Sequence, residues 1–140
     1  MKLCKSIFDV PDKELTKIET VVGPLHMKRL IKEPACNMVI EDFEPGQEIT
    51  WWFWHDEIHY IIKGKAEVTY SLPGLHLKKE RATIEAGDAY LIYRGERITW
   101  KVVSKEPYRK FCVVMPAIPL PSGDHLIQEH YEKHVPIAAD

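Results

Sequence analysis

Histidine, glutamate and histidine recur at alternate positions in the middle of the chain, at His55, Glu57 and His59. The segment around them, residues 51–64, is rich in tryptophan and has the composition of paired β-strands. Alternate side chains of a strand lie on one face, so these three groups are expected to share a face, with Tyr60 on the other. Neighbours on that face are about 6–7 Å apart, whereas His55 and His59, about 13 Å apart, are not expected to share one metal.

A carboxylate and imidazoles among large aromatic side chains have the composition of an acid/base site. Burial would raise the pKa of Glu57 and make it a general acid or base, and His55 or His59 would transfer protons or act as unusual ligands. The alternative is structural: Glu57 would be satisfied by Arg97, Arg109 or a backbone donor, and each histidine would be a core residue with one hydrogen bond.

Short strands must position this segment. Turn signals such as Pro45-Gly46, Pro73-Gly74 and Arg94-Gly95 recur about every 8–12 residues. This spacing predicts roughly eight to ten strands of an all-β sandwich or barrel. Prolines after residue 115 interrupt regular structure, and Ser122 can cap a final helix over about residues 123–134.

Length and composition favour one globular domain and exclude several partners. The chain has 140 residues and a net charge of -2, which gives no basic surface for nucleic acid or an anionic membrane. No apolar run is long enough for a membrane span. Three widely spaced cysteines are expected to be free thiols in a reducing cytoplasm. Exposed edge strands favour a homodimer.

Two segments resemble the two motifs of the cupin family. Pro45-Gly46, Glu57 and Gly64, with six residues between the last two, are similar to the first motif, and Ala86-Gly87-Asp88 with Arg94-Gly95 is similar to the second. The resemblance covers roughly residues 25–115. It implies a single cupin-like jelly-roll domain over residues 1–140, with the barrel at about 21–116 and a C-terminal extension with a short helix over about 117–140.

The resemblance also implies where metal ligands would stand, and most are missing. The histidine positions of metal-binding cupins fall on Trp51, Phe53 and Ile98, and only Glu57 keeps its place. Indole and alkyl groups offer no lone pair to a cation, so no cofactor is expected. A non-standard divalent metal, if bound, would use Glu57 and His55. The segment HDEIHYIIKG resembles cupins of the ethanolamine-utilisation type.

With Glu57 directed into the barrel, as the resemblance implies, His55 and His59 also point inward. These three residues and Tyr93 are the candidate catalytic groups. The candidate substrate-binding residues are aromatic: Trp51, Phe53, Tyr90 and Trp100. Alternatively, the aromatic side chains fill the barrel and leave no cavity.

These residues favour an enzyme of lyase, isomerase or cyclase type that acts on a small organic acid or carbonyl compound. The alternatives are a non-catalytic ligand-binding or assembly module, and a metalloenzyme with a non-canonical site around Glu57.

Overall fold

The computed structural model describes residues 1–20, 23–53, 55–71 and 77–115. Within these ranges, ten strands form two antiparallel sheets that face each other as a jelly-roll barrel, which confirms the all-β prediction. The strands are β1 Thr16–Thr20, β2 Gly23–Glu33, β3 Cys36–Phe43, β4 Glu48–Trp52, β5 Asp56–Lys63, β6 Lys65–Ser71, β7 Lys79–Glu85, β8 Ala89–Ile92, β9 Arg97–Val102 and β10 Tyr108–Met115. The larger sheet has the order β1-β2-β3-β10-β5-β8, and the smaller has the order β4-β9-β6-β7.

Glycines with positive φ reverse the chain at the predicted turns. Gly46, at φ +77°, follows β3, and Gly64, at φ +84°, joins β5 to β6. A Cβ atom on Gly64 would lie 2.5 Å from the carbonyl oxygen of Pro107 and 2.8 Å from Cα of Tyr108. Gly64 is therefore required both by its backbone conformation and by the strand that passes beside it.

The core lies between the two sheets and is apolar. Its fully buried members include Ile61, Ile92, Trp100 and Tyr108. Strand alternation brings these side chains inward from both sheets, where they form one packed cluster.

The N-terminal segment covers the outer face of the larger sheet. Two short 3-10 helices span Ile7–Asp9 and Asp12–Glu14, and the ring of Phe8 lies 5.4 Å from that of Tyr60. The first strand begins at Thr16, earlier than the barrel boundary predicted near residue 21. The predicted C-terminal helix lies outside the described residues. Within the described ranges, no helix has the length and hydropathy of a membrane span.

The central strand β10 sets the positions of the polar groups inside the barrel. It pairs with β3 on one side and β5 on the other. On its inner face, Lys110 lies opposite Glu41, and Cys112 lies opposite His59. Val114 is the neighbour of Glu57. One face of three adjacent strands therefore carries most of the ionisable groups inside the barrel.

Candidate active site

The two sheets enclose a cavity of about 390 Å³ at one end of the barrel. Its wall is formed by alternate residues of the strands; β3 contributes Asn37, Val39, Glu41 and Phe43. The barrel is therefore not filled by its aromatic side chains, and a small molecule has room inside it.

The ionisable centre of the cavity is a carboxylate held between two imidazoles. Nε2 of His55 lies 2.6 Å from Oε1 of Glu57, and Nε2 of His59 lies 2.7 Å from Oε2. Both distances are those of strong hydrogen bonds. His55 and His59 are far apart along the strand, yet their side chains converge on the carboxylate between them. The two imidazoles therefore bind opposite oxygens of one carboxylate, because long side chains lean along the strand direction.

The pKa of Glu57 moves opposite to the expectation from burial. Burial is the strongest single influence and would raise the pKa, but the hydrogen bonds and other electrostatic interactions with His55 and His59 together outweigh it. The result is a pKa lowered to about 2. Glu57 is therefore an ionised acceptor at neutral pH. Arg109, considered as a partner for Glu57, instead binds Asp42 on the opposite face.

The positions of the protons around His59 follow from which neighbouring groups can only donate a hydrogen bond. The indole N–H of Trp100 can only donate, and it donates to the phenol oxygen of Tyr90 at 3.0 Å. The Tyr90 hydroxyl then donates to Nδ1 of His59 at 2.9 Å, which leaves the His59 proton on Nε2, facing Glu57. Burial, aided by the charge of Lys110, lowers the pKa of His59 and keeps its imidazole neutral. His59 therefore orients Glu57.

Lys110 is a buried cation in the cavity wall that the sequence pattern did not identify. It is 3% exposed, and its ammonium lies 3.0 Å from Glu41 and above the rings of Phe43 and Trp100, at 4.2 and 5.0 Å from their centroids. Burial favours the neutral amine, but the charge of Glu41 outweighs it and raises the pKa of Lys110. The ammonium stays charged at neutral pH.

The aromatic residues predicted to bind substrate do not all line the cavity. Trp51, Phe53 and Trp100 line the cavity. Tyr90 lies behind His59 as a hydrogen-bond partner, so it supports the site and does not line it. Tyr93 does not reach the site, because it follows β8 at a turn where Glu96 accepts its backbone N–H, and its side chain is 52% exposed.

Comparison with solved structures identifies the architecture. No family model and no curated protein matches the sequence. A cupin superfamily protein from Desulfitobacterium hafniense superposes with a TM-score of 0.54 and 12% identity, over 70% of this chain and 83% of the other. The chain has the cupin fold. The EutQ protein of Clostridium difficile matches with a TM-score of 0.55 and 18% identity, over 78% of this chain and 81% of that one.

A longer cupin-fold protein is similar over part of its length. A single-substitution variant of oxalate decarboxylase from Bacillus subtilis matches with a TM-score of 0.59 and 15% identity, over 76% of this chain and 28% of the other. Identities this low establish the shared fold only.

The usual cupin metal set does not fit this barrel. Trp51, Phe53 and the buried Ile98, which stand where the resemblance implies histidines, offer no ligand atoms. A different group, Glu57, His59 and Cys112, has ligand atoms within 4.8 Å of one another. It differs from the predicted pair Glu57 and His55, because Cys112 on β10 lies opposite His59.

Proposed function

We propose that this cupin is an enzyme of lyase, isomerase or cyclase type that moves protons on a small organic molecule. The observation that carries the proposal is the His55–Glu57 hydrogen bond inside an aromatic-walled cavity. Because Glu57 is ionised, it accepts Nε2–H of His55 and leaves the lone pair of that imidazole on Nδ1. His55 is therefore the proton-transfer group, and Glu57 is the residue that orients it.

Lys110 supplies the complementary charge for such a reaction. When Nδ1 of His55 takes a proton from the carbon next to a carbonyl group, the electron pair moves to the carbonyl oxygen and forms an enolate. The Lys110 ammonium stabilises this negative charge in a cavity that is partly shielded from water. Return of the proton to a neighbouring carbon gives an isomerase, and loss of a leaving group from the β-carbon gives a lyase.

The test is hydrogen exchange at carbon. Lactaldehyde, pyruvate, 2-oxobutyrate and glucuronate are incubated with the protein in D₂O, and loss of the α-C–H signal is followed by proton NMR. We expect exchange with at least one compound, and a loss of about 10²-fold or more in His55→Gln. The matched control is His26→Gln, because His26 also contacts a carboxylate, Glu44 at 2.9 Å, but lies outside the cavity. Absence of exchange with all four compounds, or equal rates in His55→Gln, contradicts the enzyme and favours a ligand-binding module.

A metalloprotein is the second candidate, favoured by the Glu57, His59 and Cys112 group. These carboxylate, imidazole and thiolate donors suit Zn²⁺. To offer Nε2 to the ion, His59 would have to carry its proton on Nδ1, where the Tyr90 hydroxyl would accept the hydrogen bond. Metal analysis of purified protein decides between the candidates: stoichiometric zinc that is lost in Cys112→Ser supports the metal site. The homodimer and the cytoplasmic location stay predictions, and light scattering after gel filtration tests the former.

A further inference from the structure

We propose that the ligand of this cavity is a small hydroxylated carboxylic acid, whose carboxylate binds Arg29 and one of whose hydroxyls binds Asn37. This inference rests on the proposed function, because it names the substrate class of the same cavity. Two polar groups in the wall, a side-chain amide and a guanidinium, carry it. Neither takes part in the His55–Glu57–His59 centre.

Asn37 presents an unused hydrogen-bonding atom in the cavity wall. Its Oδ1 is buried and has no hydrogen-bond partner within the described ranges. A buried polar atom without a partner destabilises the protein, so a ligand that satisfies it gains affinity. A hydroxyl fits this position best, because it donates to the carbonyl oxygen and can also accept from the amide nitrogen.

Arg29, an exposed residue of β2, is a second cationic residue in the lining of the same cavity. Among residues 1–20, 23–53, 55–71 and 77–115, no ion pair or hydrogen bond engages its guanidinium. The other cation of the wall, Lys110, lies 3.0 Å from Glu41 and is the group assigned to the enolate oxygen in the proposed reaction. A planar guanidinium binds a carboxylate through two parallel hydrogen bonds, so Arg29 selects an anionic group.

The sheet register places Arg29, Asn37 and Glu57 on neighbouring strands, within the length of a small molecule. Arg29 lies opposite Val39, two residues from Asn37 on the inner face of β3. Diagonal neighbours of this kind are about 7–8 Å apart in a regular ladder, and here a bulge between Arg29 and Ile31 shifts the register beside them. From Asn37, the same register row crosses Val114 to Glu57, two strand spacings or about 10 Å away. A short-chain acid bound at Arg29 and Asn37 therefore extends toward His55 and Glu57.

Three probes of similar size separate the two contacts. D-gluconate has both a carboxylate and hydroxyls, D-gluconamide lacks the charge, and hexanoate lacks the hydroxyls. Titration calorimetry at low salt is expected to show that gluconate binds at least about tenfold more tightly than either of the others. Arg29→Gln should remove the preference for gluconate over gluconamide, and Asn37→Leu should remove the preference over hexanoate.

The control is Lys17→Gln, which deletes a cation on the exposed outer face of β1 and should leave both preferences unchanged. Equal binding of gluconate and gluconamide by the wild type, no binding of any probe, or an unchanged preference in Arg29→Gln overturns the inference. Binding needs no turnover, so the two proposals fail separately. Selective gluconate binding without carbon exchange in D₂O contradicts only the enzyme, and exchange of lactaldehyde without gluconate selectivity contradicts only the acid class.

Discussion

The charge on Glu57 makes the stability of this barrel depend on pH in a way that one substitution removes. Glu57 is buried, and its two oxygens accept hydrogen bonds from His55 and His59. In Glu57→Gln, one amide oxygen replaces two carboxylate oxygens, and the amide NH₂ faces an imidazole N–H donor. The substitution removes the ionisable group with little change in volume.

The magnitude follows from the lowered pKa. The pKa of Glu57 falls from 4.5 to about 2, and each pH unit of that difference corresponds to about 1.4 kcal/mol. Ionised Glu57 therefore adds about 3 kcal/mol to the free energy of unfolding. Because the pKa is lower in the folded state, this contribution is complete above about pH 5 and is lost as the pH falls toward about 2.

Urea unfolding of chelator-treated protein at pH 7, 5, 4 and 3, followed by tryptophan fluorescence, measures the effect. We expect Glu57→Gln to be less stable than the wild type by about 3 kcal/mol at pH 7, and the difference to shrink steadily below pH 5. The control is Glu67→Gln, on an exposed position of β6, which should show no such trend. A difference that is constant from pH 7 to pH 3, or that grows on acidification, refutes an ionised Glu57 in the folded protein.

Two further predictions concern the frame around the site. Gly64→Ala should lower the free energy of unfolding by more than about 2 kcal/mol, because a Cβ atom there meets the backbone of Tyr108. Gly46→Ala has a similar positive φ but open space around it, so it should lower the free energy of unfolding by only about 1 kcal/mol. Equal losses in thermal or urea unfolding would contradict the steric argument. Asp42→Ala should lower the free energy of unfolding by about 3–5 kcal/mol, because the buried guanidinium of Arg109 loses the carboxylate that accepts two of its hydrogen bonds. Retention of the wild-type urea midpoint would show that this pair contributes little to stability.

The fold was predictable because its signals are local. Glycine and proline at the turns and alternation along the strands are visible in the sequence, as at Gly46 and Gly64. The same alternation placed His55, Glu57 and His59 on one face, which the resemblance to cupins implied to be the inner one, and in the structure both imidazoles contact the carboxylate from that side. The hydrogen bonds among these three residues could not be predicted from the sequence, because the direction of each side chain depends on its neighbours on the adjacent strands.

Lys110 shows what strand alternation leaves undecided. In β10, Phe111, Val113 and Met115 form an apolar face, which suggests that this face is the core. The structure instead turns Tyr108, Lys110 and Cys112 inward, because β10 pairs with β3 and β5 in a register that sets Lys110 beside Glu41. That choice depends on contacts between residues far apart in sequence, and a buried ion pair is recognisable only when both partners are placed.

The aromatic wall and the two histidines together explain how this barrel tolerates Glu57. A buried carboxylate requires a cation or hydrogen-bond donors around it. Trp51 and Phe53, at positions where metal-binding cupins carry ligands, provide neither a ligand nor a charge, whereas His55 and His59 give each carboxylate oxygen an N–H donor. Each oxygen accepts one of these donors and keeps a second lone pair. The lowered pKa makes the ionised Glu57 a weak base, which is why the proposed mechanism assigns the proton transfer to His55. The pH series tests whether Glu57 is ionised in the folded protein, and the exchange experiment tests whether His55 transfers the proton.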